Sequence, residues 1–167
     1  MTNVLLAIDG ELFGNIIADF VLSHQWAPNT KFEILQVIEP FTDEFPADRF
    51  EGKVDEAAKQ LLMDIATRIH RSLPEVNISQ IVRTGDPTEV ILQEAAEWPA
   101  QLIVLGSHGR NQLKRASLGS VSLAVLTRAL CPAVIVRIPQ SYLQALVADS
   151  IDVNPEVDST IHMHASP

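Results

Sequence analysis

Short apolar runs alternate with amphipathic stretches along the first 138 residues, and this alternation constrains the fold more than any other feature. These runs are Asn3–Ile8, Phe32–Ile38, Val76–Val82, Gln101–Leu105 and Ala133–Ile138. The first of them is continuous rather than alternating in polarity, which is typical of a central strand covered on both faces. Between the runs, apolar residues recur at helical spacing. The order β-α-β-α-β-α-β-α-β predicts an α/β fold: one open, mostly parallel five-stranded sheet with helices on both faces.

The helix boundaries follow from capping residues and from proline and glycine. We predict helices over residues 11–26, 54–69, 87–98 and 119–129. The third start is the most specific, because Asp86 is a good N-cap, Pro87 suits the first helical position, and Glu89 can reach back to the cap.

Composition excludes several classes of protein. The net charge is −9, which argues against sequence-independent nucleic-acid binding, since that binding depends on neutralisation of phosphates by Lys and Arg. No apolar run approaches the roughly 18–20 residues of a membrane span, and no basic leader precedes the first strand. The single cysteine, Cys131, excludes a disulfide framework. We expect a cytoplasmic protein with no nucleic-acid and no membrane partner.

The C-terminal residues differ in kind from the rest of the chain. Beyond Pro139 there are four acidic residues and no Lys or Arg. We therefore predict a domain over 1–139 and an acidic, partly disordered tail over 140–167. Within that tail, residues 141–148 have enough apolar side chains to dock marginally as a short amphipathic segment.

The corner after the fourth predicted strand has the features of an anion-binding site. Gly106 and Gly109 would allow a tight turn and a close approach of the backbone to a ligand. Gly119-Ser120 places free N–H groups and the positive end of a helix at the same edge. The dense basic cluster of this acidic chain lies between them, at Arg110, Lys114 and Arg115. Glycines also punctuate ordinary loops, but the basic cluster favours binding of a polyphosphate.

These motifs resemble the universal stress protein family. Gly106-x-x-Gly109-x9-Gly119-Ser120 is similar to its ATP-binding signature, and the similarity extends over about 3–138 through VLLAIDG, LQVIEP, GDP, LIVLGSHGR and GSVSLAVLTRALCPAVIVR. The resemblance implies a Rossmann-like sheet of order 3-2-1-4-5 and a bound ATP, with or without Mg²⁺. It also implies a homodimer through the exposed edge of the fifth strand, Ala133–Ile138.

The resemblance further implies which residues bind the nucleotide. Asp9 would hydrogen-bond the adenosine end, and the backbone of Val37 would contact adenine. The other implied binding residues are Ala7, Gly106, Gly109, Arg110, Gly119, Ser120, Val121 and Ser122. The chain departs from the family at Glu11, where a serine is usual, so an additional negative charge lies near the mouth.

Two functions fit this pattern. The first is a regulatory, stress-response module whose ATP-bound state is recognised by a protein partner. The alternative is a slow ATPase or phosphotransferase that uses the same pocket. We assign no catalytic residue and no metal ligand, because phosphoryl transfer needs metal ligands and a positioned nucleophile that the sequence does not supply. A phosphoacceptor receiver domain is disfavoured, since the third strand ends in Arg83-Thr84-Gly85 rather than in an aspartate.

Overall fold

The computed structural model describes residues 2–40, 51–107 and 118–139. Strands and helices alternate along these residues. They are β1 (Asn3–Ile8), α1 (Gly10–Leu22), β2 (Lys31–Ile38), α2 (Glu51–Ser72), β3 (Asn77–Thr84), α3 (Pro87–Glu97), β4 (Leu102–Gly106), α4 (Ser120–Arg128) and β5 (Ala133–Val136). The predicted alternation is confirmed.

The five strands form one parallel sheet in the order β3-β2-β1-β4-β5. This confirms the predicted order 3-2-1-4-5. The strand β1 is central and its residues 4–8 are buried, which explains why its sequence is a continuous apolar run. The register pairs Ala7 with Leu35 of β2 and with Leu105 of β4, so the carboxyl ends of these strands meet at one edge.

The core has two parts, one on each face of the sheet. Side chains of α1 and α2 pack on one face, around Ile17 and Ile65. Side chains of α3 and α4 pack on the other face, where Ile91 and Val125 cover Leu5. Helices on both faces were predicted from the alternating order of strands and helices, and the structure confirms this.

Several element boundaries differ from the sequence prediction, and α2 spans Glu51–Ser72 instead of 54–69. The helix α1 ends at Leu22 instead of 26, because the Ser23 N–H and hydroxyl and the Trp26 indole N–H donate to carbonyls of its last turn. The edge strand β5 ends at Val136, two residues earlier than predicted. The other edge strand, β3, extends to Thr84, two residues later than predicted. The spacing of apolar residues in the sequence does not specify where hydrogen bonding between neighbouring strands ends.

The predicted start of α3 is confirmed. The Asp86 carboxylate accepts a hydrogen bond from the Glu89 N–H at 3.0 Å, and Pro87 is the first helical residue. The cap fixes the corner that follows β3.

The chain divides between Arg137 and Ile138 into two units. The second unit lies almost entirely outside the described residues, so the division into a domain over 1–139 and a tail over 140–167 stays a prediction. No helix within the described ranges is long and apolar enough to cross a membrane.

Candidate functional site

The carboxyl ends of β1 and β4 form the candidate site. These neighbouring strands lie where the strand order reverses, and their following helices cover opposite faces of the sheet. Such a reversal opens a crevice at the strand ends, which is where ligands bind in open parallel sheets. Asp9 follows β1, and Gly106 is the last residue of β4. The structure thus brings together two predicted site residues that are far apart in the sequence.

The corner between β1 and α1 is an acidic wall of the crevice. Asp9 occupies the N-cap position of α1, but its carboxylate makes no capping hydrogen bond to the helix. Gly10 has φ 81°, a backbone conformation that residues with a Cβ atom rarely adopt. Glu11 lies in the first turn of α1 and is exposed. Its carboxylate offsets the positive helix end, so this wall does not favour phosphate.

Gly106 packs directly against a side chain and does not face open space. A Cβ atom at this position would lie 2.4 Å from Cδ1 and 2.8 Å from Cε1 of Phe13. Phe13 is 1% exposed, so its ring has no room to move. The sequence suggested that Gly106 makes room for a ligand, whereas the structure gives it a packing role beneath the site. Phe13 was missed because an apolar residue at helical spacing looks the same wherever it packs.

The two ends of the segment between β4 and α4 are tied together. The Gly119 N–H donates to the Ser107 carbonyl at 2.8 Å, and the Ser122 hydroxyl donates to the Gly106 carbonyl at 2.7 Å. Ser107 is itself held by a bond from its N–H to the carbonyl of Val136. Ser122 was expected to offer its hydroxyl to a ligand, but the buried side chain donates to the backbone instead. Its contribution is to fix the start of α4 against the end of β4.

The start of α4 is the positive wall of the crevice. Its first turn contains no acidic residue, in contrast to α1. The N–H groups of Ser120, Val121 and Ser122 open the helix, where no residue four positions earlier belongs to the helix to accept from them. Gly119 has φ −65° and ψ 157°, which any residue adopts, so its backbone conformation does not require glycine. Because Gly119 has no side chain, a ligand can come close to these N–H groups.

Two further predicted site residues, Val37 and Ala7, differ in how they could contact a ligand. The pairing of β2 with β1 ends at Gln36, whereas its pairing with β3 continues to Ile38. The backbone of Val37 therefore lies past its last β1 partner, at the crevice edge. Ala7 is 7% exposed and packs in the core with Leu5 and Leu35. Only its main chain could contact a ligand.

The remaining predicted residues, Gly109 and Arg110, lie outside the described residues, as do Lys114 and Arg115. Within the described part of this edge, carboxylates follow β1 and β2, at Asp9, Glu11 and Glu39, whereas Arg137 follows β5. No group of three or more His, Cys, Asp or Glu residues in the described ranges is placed to hold a metal ion.

Comparison with known proteins places these observations in a family context. The family model described as "Universal stress protein family" matches residues 1–137. Universal stress protein A homolog 2 of Coxiella burnetii is 40% identical over 84 residues, which are 48% of this chain and 57% of that protein. The chain thus aligns with little more than half the length of this curated relative.

Solved structures share the fold. Hypothetical protein MJ0577 superimposes with a TM-score of 0.71 at 24% identity, covering 83% of this chain and 96% of that one. A universal stress protein family protein from Arabidopsis thaliana, solved with AMP bound, gives a TM-score of 0.64 at 18% identity, covering 85% and 95%. At these identities the likeness concerns the fold alone.

Proposed function

Because the chain belongs to the universal stress protein family, we propose that it binds ATP, one molecule per chain, across the carboxyl ends of β1 and β4. The observation that carries the proposal is the start of α4. Its N–H groups open at the point of strand reversal with no acidic residue in the first turn, which is a favourable environment for phosphate. AMP in the Arabidopsis thaliana relative supports an adenine nucleotide as the ligand class.

The contrast between α1 and α4 gives the bound nucleotide a direction. Asp9 and Glu11 make the α1 side negative, so that side suits the neutral nucleoside. A ribose hydroxyl can donate to a carboxylate, and the main chain of Val37, which lies past its last β1 partner, offers backbone groups to a base. The phosphates would lie against Gly119 and the first turn of α4, with the basic residues of the preceding segment as counter-charges. Mg²⁺ would bind only together with the phosphates of ATP.

We propose regulation rather than rapid catalysis as the purpose of binding. In-line attack on a phosphoryl group needs a positioned nucleophile together with metal ligands. Within the described part of the crevice, Asp9 is the candidate group and no metal-binding cluster accompanies it. The ATP-bound state would then be the form that a protein partner recognises, with turnover slow or absent.

Substitution of Gly119 tests this site. In Gly119→Val, a branched side chain would cover the first N–H groups of α4. We expect the dissociation constant for ATP to rise at least about tenfold, a loss of about 1.4 kcal/mol. Isothermal titration calorimetry with ATP and with AMP measures this, and phosphate release in the same samples measures turnover.

A matched control is Thr127→Val, which exchanges a hydroxyl for a methyl group near the other end of α4, where that hydroxyl donates to carbonyls of its own helix. ATP affinity should be unchanged in this variant. Equal affinity in Gly119→Val and wild type would place the nucleotide elsewhere. A steady turnover well above about 1 s⁻¹, within the ordinary range for enzymes, would contradict a purely regulatory role.

We also propose that two chains associate through β5. This strand pairs with β4 on one side and with no other described strand on the opposite side. An unpaired apolar edge is a template for another strand unless it is covered. Three leucines that precede β5 in the sequence are exposed: Leu123 and Leu126 on α4, and Leu130, which is 100% exposed.

A charge at the end of β5 should weaken this association. Val136→Lys would place an ammonium group in the apolar edge, and we expect the dimer to shift towards monomer in light scattering. Gln80→Lys is the matched control, since Gln80 is an exposed residue of the other edge strand, β3. A wild-type protein that is monomeric at high concentration, or equal effects of both variants, would end the proposal.

A further inference from the structure

A second concave surface lies at the amino ends of the strands, whereas the nucleotide crevice lies at their carboxyl ends. It is an open groove of ≈ 440 Å³ near the amino ends of β2 and β3, under the C-terminal end of α3. The residues that line it are Lys31, Phe32, Asn77, Ser79 and Trp98. This volume is within the range of small-molecule sites. We call it the Trp98 groove.

The side chains of the Trp98 groove come from one face of the sheet. Alternation along β2 and β3 places Lys31, Asn77 and Ser79 on the same face as Leu35 and Ile81, which pack under α3. The ring of Phe32 belongs to the core of the opposite face, so Phe32 contributes main-chain atoms. The groove therefore presents a strip of polar side chains beside the Trp98 indole.

Every polar side chain that lines the groove offers a hydrogen-bond donor. Lys31 has an ammonium group, Asn77 an amide, and Trp98 an indole N–H. Among the described residues, none of these three side-chain groups has a hydrogen-bond or ion-pair partner. Ser79 alone is engaged, and its hydroxyl donates to the Glu33 carboxylate at 3.1 Å. A positive charge with unengaged donors around it favours an anionic ligand.

The wall formed by Trp98 is held in place by its backbone. The Trp98 N–H donates to the Glu94 carbonyl at 2.9 Å, and the Asn3 side chain donates to the Trp98 carbonyl at 3.1 Å. On the floor, Asn77 donates through its N–H to the Thr30 carbonyl at 3.4 Å. The groove is thus built on the sheet and on a fixed helix end, which lowers the ordering cost of binding.

We propose that the Trp98 groove binds a small aromatic monocarboxylate. The carboxylate would accept from Lys31 and Asn77, and the ring would lie against the Trp98 indole. An aromatic body suits the groove because the indole supplies an apolar face with which rings pair favourably. This site is separate from the proposed nucleotide site, since it lies at the amino ends of the strands rather than at their carboxyl ends.

Glu33 makes binding in the groove sensitive to pH. It is 6% exposed, its Oε1 has no hydrogen-bond partner, and burial raises the pKa of its carboxyl. The charged groups that act on it are Glu94 of α3 and Arg83 of β3, and Lys31 lies two residues earlier on the same strand face. A carboxylate ligand would repel ionised Glu33, so it binds better to the protonated form. Affinity should therefore fall as pH rises through the pKa of Glu33.

Nuclear magnetic resonance of the indole N–H groups tests the proposal directly, with benzoate and phenylacetate as the probes. The protein has two tryptophans, and Trp26 is an internal control, since its indole N–H is bonded to the Val21 carbonyl. We expect both probes to move the Trp98 signal and leave the Trp26 signal in place. Trp98→Phe assigns the two signals. Lys31→Gln should weaken binding at least about tenfold, the effect of losing a charged hydrogen bond.

Lys59→Gln is the matched control, because this exposed lysine of α2 pairs only with acids of its own helix. It should leave probe affinity unchanged. Glu33→Gln should remove the fall in affinity that accompanies the ionisation of Glu33 as pH rises. The proposal is overturned if neither probe moves the Trp98 signal, if benzamide binds as well as benzoate, if phenethylamine binds instead, or if Lys31→Gln and Lys59→Gln behave alike.

Discussion

Gly106→Ala should lower the free energy of unfolding by about 3 kcal/mol, although it adds a single methyl group. That methyl would lie 2.4 Å from Cδ1 and 2.8 Å from Cε1 of Phe13, distances that real Cβ atoms essentially never show. The ring is buried, so relief requires a shift of α1 against β4, and such overpacking costs about 1–3 kcal/mol or more. Urea unfolding followed by circular dichroism measures the change.

A second glycine is the matched control for this prediction. Gly14→Ala would place a Cβ 3.2 Å from the terminal methyl of Ile65, which can shift slightly, and alanine is the better helix former by about 1 kcal/mol. Its net effect should be close to zero. Phe13→Ala combined with Gly106→Ala should cost less than the sum of the two single changes, since the cavity accepts the methyl group. A strictly additive double variant, or a Gly106→Ala protein as stable as wild type, would refute the packing role.

Glu33→Leu should stabilise the protein by about 1–3 kcal/mol at pH values above the folded pKa of the Glu33 carboxyl, the usual cost of a buried polar group without a partner. Glu33 is buried in β2, and one oxygen of its carboxylate has no hydrogen-bond partner. Burial raises the pKa of this carboxyl above its ordinary value of 4.5. The folded state then holds a proton that the unfolded state has lost, so the wild type loses stability as pH rises from 4.5 through the folded pKa.

The variant should lose that part of the pH dependence. Its advantage over wild type should be small well below pH 4.5, where both the folded and the unfolded state hold the Glu33 proton, and largest above the folded pKa. Glu75→Leu is the control, because Glu75 is exposed and its replacement should change stability by less than about 0.5 kcal/mol at either pH. Thermal unfolding at several pH values provides the comparison. An advantage that is equal at low and high pH would mean that added apolar burial, and not the carboxyl charge, causes it.

Much of the fold could be predicted from local patterns. The five apolar runs, the helical spacing between them and the Asp86-Pro87 start are properties of adjacent residues, and the elements formed where these patterns indicated. Boundaries were less predictable, because the end of α1 depends on where Ser23 and Trp26 find carbonyl acceptors, and the end of β5 depends on the length of its partner. The strand order came from the family resemblance and was confirmed by the ladder pairing.

The sequence by itself determined the family, the parallel α/β architecture and the edge of the sheet where Asp9, Gly106 and Gly119 meet. These follow from periodicity, turn residues and a motif that spans the domain. Only the tertiary structure decided that Gly106 accommodates Phe13, that the Ser122 hydroxyl belongs to the Gly106 carbonyl, and that Lys31, Asn77 and Trp98 line one groove. The physical reason is that a side chain's partner is set by long-range packing, which brings together residues whose sequence neighbours say nothing about each other.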